Sequence, residues 1–211
     1  MGSKDDAMGT LDVSGEGRVQ VKPDTAVIRL AVITEAKTAA AAADENAAAA
    51  TEVIDAVKAV GVGDDGLQTQ GLWVGPIYRY NEELKVNEIV GYRAENAIAV
   101  TAAIDLAAKV YDAGIAAGAN QSSGISFTLA DEAPYRKSAL EGAVAAARRD
   151  AEVVSEALGV KLRGPVKVEV DSGGATLVKT AEASLARTAT PIEPGELTVS
   201  ARVRVSYGYR F

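Results

Sequence analysis

From Leu11 the side chains alternate, with Leu11, Val13, Gly15, Gly17, Val19 and Val21 on one side and Asp12, Ser14, Glu16, Arg18 and Gln20 on the other. A period of two with one apolar set is what a strand buried on one face requires. Thr25 to Thr34 is β-branched and almost continuously apolar, which suits a central strand covered on both faces. Lys22-Pro23-Asp24 lies between these runs as a turn, so the two strands are expected to pair as a hairpin.

The period then changes. Thr38 is placed to cap a helix running to about Val60, with its inner stripe expected at Ala47, Ala50, Ile54 and Val57. Leu67 to Tyr80 and Glu88 to Thr101 read as long strands joined around residues 81–85. Pro76 has no amide proton to give to a ladder and marks an edge or a bulge in the first of them. A short helix over Ile104 to Ala117 follows, then a brief strand over Ile125 to Leu129. The third helix opens near Asp131 and Pro134 and runs to Leu158. Its residues Leu140, Val144, Ala147, Ala151, Val154 and Leu158 are spaced 4-3-4-3-4 and predict the buried stripe. Strands are expected over Pro165 to Val170 and over Leu197 to Phe211. The second of these sets Leu197, Val199, Ala201, Val203, Val205, Tyr207, Tyr209 and Phe211 against Arg202, Arg204 and Arg210. The order ββαββαβαββ predicts an α+β fold, a mainly antiparallel, long-stranded sheet packed by three helices.

Composition narrows the chemistry. Neither Cys nor His occurs among the 211 residues. That removes thiol nucleophiles, disulfides, Cys/His zinc sites and every triad with an imidazole base. A net charge of −7 argues against broad electrostatic binding to nucleic acid or anionic lipid. No run reaches the roughly 18 apolar residues of a membrane helix. Alanine supplies 41 of the 211 residues and aromatics only 5%, so the core is thin and stability is expected to lean on sheet pairing or subunit contacts. Residues 1–9 read as an expression leader, leaving 10–211 as a single domain.

Few residues stand out as chemical candidates. Asp64-Asp65-Gly66 lacks the alternating carboxylates and closing Glu of a calcium loop and reads as a turn. Gly15, Gly17, Gly71 and Gly75 lack phosphate-loop spacing and are expected to mark bulges or close backbone approaches. Glu16, Glu35, Glu95 and Glu169 fall on strands, and only Glu35 and Glu95 are placed to approach one another, as a carboxylate hydrolase would need. Solvated sheet-face charge is by far the commoner reading of such residues. No catalytic, cofactor-binding or metal residue is assigned, and no cofactor is expected. Trp73, Tyr78, Tyr80 and Tyr92 gather the scarce aromatic surface around one hairpin, either as core or as an interface. Residues 172–195, containing Leu185, Arg187 and Pro191, form a long aperiodic stretch that reads as a subunit-contact arm or a plain loop. The candidate oligomer contacts are therefore Trp73, Tyr78, Tyr80, Leu185, Arg187 and Pro191.

Ser14-Gly15-Glu16-Gly17, Val21-Lys22-Pro23-Asp24 and the run from Leu67 through Trp73, Pro76 and Tyr78 to Val90-Gly91-Tyr92-Arg93-Ala94 resemble the SIMPL-domain family. Gly118-Ala119-Asn120, Gly124 to Phe127, Ala157 to Val160 and Thr190 to Glu196 continue the likeness in order. The resemblance implies an exported cell-envelope protein, periplasmic or secreted, whose natural signal sequence is expected to be missing from these residues. It also implies links to oxidative-stress defence and immunogenicity, and in one relative a ring-shaped, channel-like assembly. It transfers no active site. The expected function is thus a non-enzymatic, self-assembling envelope protein, a homo-oligomer with peripheral envelope association and no nucleic-acid partner. The alternatives are a periplasmic module presenting a groove between helices and sheet to a peptide or small ligand, and a carboxylate hydrolase.

Overall fold

The computed structural model describes residues 8–171, 175–178 and 190–210. The strands are β1 (Met8–Val21), β2 (Thr25–Ala36), β3 (Leu67–Asn81), β4 (Val86–Ala103), β5 (Gln121–Thr128), β6 (Lys161–Asp171), β7 (Ala175–Val178) and β8 (Glu196–Arg210). The helices are α1 (Ala39–Ala59), α2 (Ala107–Ala116) and α3 (Ala133–Leu158). The chain is α+β with antiparallel pairing throughout the described strands, and β7 is the one strand added to the expected order. The strands divide between two four-stranded sheets, each in its own compact unit.

In the first unit β8 is central because its alternation supplies a full apolar face. Leu197, Val199, Ala201, Val203, Val205 and Tyr207 are all buried. β8 pairs along its whole length with β1, from Met8 opposite Arg210 to Val21 opposite Leu197, and on its other side with β6 and β7. The expected β1–β2 hairpin does not form: β2 belongs to the other sheet, where it pairs with β4 and β5. None of Lys22, Pro23 and Asp24 takes a positive φ, so the link lacks the geometry that reverses a strand tightly.

α3 lies on the apolar face of this sheet, and its buried residues are Ala139, Ala143, Ala147, Ala151 and Ser155. Of the expected stripe, Ala147 and Ala151 are buried and Leu140 packs against the core, whereas Val144 is 46% and Leu158 60% exposed, which corrects those two positions. The cause is on β1. A Cβ at Gly15 would overlap the Ala143 carbonyl oxygen, and one at Gly17 the Ala139 carbonyl oxygen. Helix and strand backbones thus touch across two glycines, and only the smallest side chains of α3 fit beneath it.

In the second unit the sheet order is β3-β4-β2-β5, and α1 and α2 pack on the face carrying Ile28, Leu30, Ile98 and Val100. Val53, Val57 and Val110 complete the core from the helices. Thr38 caps α1 as expected, its hydroxyl accepting from the Ala41 amide at 3.2 Å. Ala50 and Val57 are buried as expected, whereas Ala47 faces out and Asn46 faces in. Asn46 donates to the carbonyls of Val32 (2.8 Å) and Ala94 (3.2 Å), a satisfied polar tie between α1 and two strands. β2 ends opposite Tyr92. Beyond that point β3 and β4 continue as a two-stranded ribbon to the turn at residues 82–85.

Candidate functional site

β3 carries the exposed aromatics, Tyr78 and Tyr80 on the ribbon and Trp73 where β2 still pairs with β4. Residues opposite one another in an antiparallel pair share a face. Trp73 lies opposite Glu95, Gly75 opposite Arg93 and Ile77 opposite Gly91. Alternation along β3 sends Tyr78 and Tyr80 to the other face. The register shifts between Ile77 and Tyr78, leaving Val90 as the extra residue on β4, so Tyr78 stands opposite Ile89 and Tyr80 opposite Asn87. Because the extra residue is on β4, β3 keeps its alternation: Tyr78 and Tyr80 stay on the face opposite to Trp73, and the bulge brings Ile89 and Asn87 of β4 beside them. Trp73 is 52%, Tyr78 60% and Tyr80 57% exposed, so of the two sequence readings the core role is excluded for these three. Leu84, Val86 and Ile89 are also exposed on the same ribbon. The sequence signal for these last three was present, since the β4 pattern begins before β2 has a partner for it. The overhang itself depends on β2's register.

The turn is built by Asn81, whose side-chain oxygen accepts from the amides of Glu83 (3.0 Å) and Leu84 (3.1 Å). Lys85 completes it at a φ of 54°. Trp73 is held by its neighbour: its six-membered ring occupies the space a Cβ on Gly75 would need. Next to it, Arg93 donates through Nε (3.0 Å) and Nη2 (2.7 Å) to Glu35 Oε1. Glu95, on the same face, has no hydrogen-bond or ion-pair partner among the described residues.

The remaining candidates separate. Glu35 and Glu95 do share a face, at adjacent positions along β2 and β4, with Arg93 engaged on the first. Glu16 and Glu169 lie in the first unit. There Glu16 takes Arg18 at 2.7 Å and Arg202 at 3.6 Å, and Glu169 takes Lys167 at 2.6 Å and Arg204 at 3.4 Å. Asp12 accepts from Ser206 on the same face. The hydrogen bond from Arg18 holds the Glu16 carboxyl below its ordinary value, and that from Lys167 does the same for Glu169. Asp64 pairs with Lys58 at 2.6 Å, which lowers its pKa and fixes residues 64–66 as a short 3-10 turn. Leu185 and Arg187 lie outside the described residues, and Pro191 is exposed. The seam between α1 and its sheet is packed core, with Leu30, Val32, Val53 and Ile98 buried. Among the described residues no group of three or more acidic side chains gathers as a metal site.

The sequence profile of SIMPL, described as a protein of unknown function (DUF541), matches residues 11–207. A 26 kDa periplasmic immunogenic protein of Brucella melitensis is 34% identical over 161 residues, covering 74% of this chain and 64% of that relative. Its counterpart in Brucella abortus gives the same figures. The uncharacterized protein YggE of Edwardsiella ictaluri is 29% identical over 154 residues, or 72% of this chain and 64% of the relative. This chain thus aligns with slightly under two thirds of the length of each.

Proposed function

The chain belongs to the SIMPL family, and on that premise we propose that it is a non-enzymatic, self-associating protein of the cell envelope. The observation carrying this reading is the aromatic surface of β3: Tyr78 and Tyr80 share one face of the ribbon with Ile89, Trp73 stands on the other face of the same strand, and all four are exposed. Exposed aromatic surface of this kind is what a contact site presents to its partner. The two relatives named periplasmic support an envelope location. No helix among the described residues is long and apolar enough to cross a membrane. The family match takes in residues of both units, which supports treating residues 10–211 as one functional domain. A ring-like or channel-like assembly, a role in stress defence and a contact arm including Leu185, Arg187 and Pro191 belong to the same proposal.

Light scattering at micromolar concentration tests it. The expected result is a mass above one chain, falling to one chain in the Trp73→Ala, Tyr80→Ala double variant with the fold retained by circular dichroism. A strict monomer in both overturns the proposal.

A further inference from the structure

The first unit has an open edge of its own. β6 pairs with β8 on one side, and its other side pairs with no strand among the described residues. Every residue from Arg163 to Asp171 is exposed. Val168 stands opposite Val205 and Val170 opposite Val203, so all four belong to one apolar face. Val203 and Val205 are buried, yet Val168 and Val170 are each more than half exposed. The reason is that α3 packs mainly on β1 and β8, and the apolar face of the sheet runs on past the helix that covers it. β1, at the opposite edge, has Leu11 and Val13 packed into the core beneath α3.

We infer that β6 pairs antiparallel with β6 of a second copy of this chain, about a two-fold axis at Val168. An open strand edge is a template for another strand, and the residues along this one are complementary to themselves. Antiparallel pairing about Val168 sets Lys167 opposite Glu169 of the second copy, and Glu169 opposite its Lys167. Val168 lies beside its own copy, and Val166 falls opposite Val170. Apolar residues thus meet apolar ones, and each cation meets an anion. Moving the axis to Glu169 would instead set that carboxylate against itself. With the axis perpendicular to the sheet, the apolar faces of both copies lie on one side, and the uncovered valines join into one stripe. A lysine on an edge strand commonly discourages pairing. Here Glu169, already bound to Lys167 at 2.6 Å, makes the same lysine half of a complementary set. Register shifts around Pro165 end the regular stretch, so the contact is short and belongs to the small, weak class of interfaces. It is separate from the aromatic contact, which lies in the other unit, and its weakness keeps it silent at micromolar concentration.

The test uses the full chain carrying Trp73→Ala and Tyr80→Ala, so its result is independent of whether the aromatic contact exists. Sedimentation equilibrium is run in low salt, where exposed charges are least screened. The mass is expected to rise from one chain towards two as the protein is concentrated to about 1 mM, with a dissociation constant on the order of 0.1–1 mM. Adding Lys167→Glu, or separately Glu169→Lys, is expected to weaken dimerisation about tenfold or more, because the two-fold axis repeats each like-charge contact. Equal amounts of these two variants, mixed, are expected to dimerise again, since the acidic pair of one meets the basic pair of the other. Fraying of β6 in either variant would not produce that recovery. A single-chain mass at about 1 mM overturns the inference and leaves the edge to a strand of another protein. A dimer indifferent to both charge substitutions, no recovery in the mixture, or growth beyond two chains overturns it as well.

Discussion

Glycines decide two of the closest approaches in this protein, each in a different way. Gly15 and Gly17 exist so that α3 can rest its backbone on β1, whereas Gly75 makes room for a side chain of its own strand. The first kind of contact has no soft partner, since the obstructing atoms are backbone carbonyl oxygens of Ala143 and Ala139. Gly17→Ala is therefore expected to destabilise by about 1–3 kcal/mol, the usual cost of forcing atoms into a packed interface. Gly71 is the internal control, with nothing within 4 Å of a Cβ built there and no positive φ. Gly71→Ala is expected to be neutral or to stabilise by about 0.4–1 kcal/mol through the unfolded chain. Urea unfolding midpoints of the two variants check the contrast, and equal losses would contradict it.

The same contact governs α3 as an element. Large apolar residues at 3-4 spacing normally show which side of a helix is buried, and Leu140 is indeed part of the packing around the first core. Val144 and Leu158 mislead because the sheet beneath admits only small side chains, a constraint written in β1 more than a hundred residues away. The consequence is asymmetric: Ala147→Leu is expected to cost about 1–3 kcal/mol by overpacking, while Val144→Thr stays within about 0.5 kcal/mol. Thermal melts of both variants test this, and a larger loss at Val144 would restore the sequence-derived stripe. Strand positions were more legible than helix faces, because period-two alternation in β1 and β8 is local and survives any partner. Pairing was not legible. Leu11 meets Tyr207 and Val13 meets Val205, and no local pattern at Lys22-Pro23-Asp24 announces that the next strand leaves for another sheet. At the candidate site the sequence supplied Trp73, Tyr78 and Tyr80, and alternation along β3 already sets the two tyrosines on the face away from Trp73; what alternation cannot reveal is the one-residue bulge at Val90 that brings Ile89 beside them.

At the scale of the whole molecule, 29 acidic against 22 basic residues make acid the natural probe of how charge supports the fold. The first unit leaves one sheet face to water, and its charges pair both along and across strands: Arg18 on the same strand and Arg202 on the next hold Glu16, and Lys167 and Arg204 do the same for Glu169. Both carboxyls are held below their ordinary values by those hydrogen bonds. A group whose folded pKa lies below its unfolded value contributes stability above the unfolded value, about 4.3 for Glu, and loses it as pH falls through the folded one. The melting temperature is thus expected to be level near neutral pH and to decline as pH drops below about 4.3. The pairs are exposed, so salt should shrink their part of the effect. In the Glu16→Gln, Glu169→Gln double variant the melting temperature at pH 7 should be lower and the acid decline shallower, because two of the groups that protonate are gone. Lys58 and Lys167 have raised values for the matching reason, hydrogen bonds to Asp64 and Glu169, so their contribution persists below the ordinary lysine range and disappears as pH rises through the folded value. Calorimetric scans from pH 3 to pH 7 on both proteins decide the acid limb. Superimposable declines would show that the paired face contributes nothing to acid stability, and that burial of β8 and α3 alone holds the first unit together.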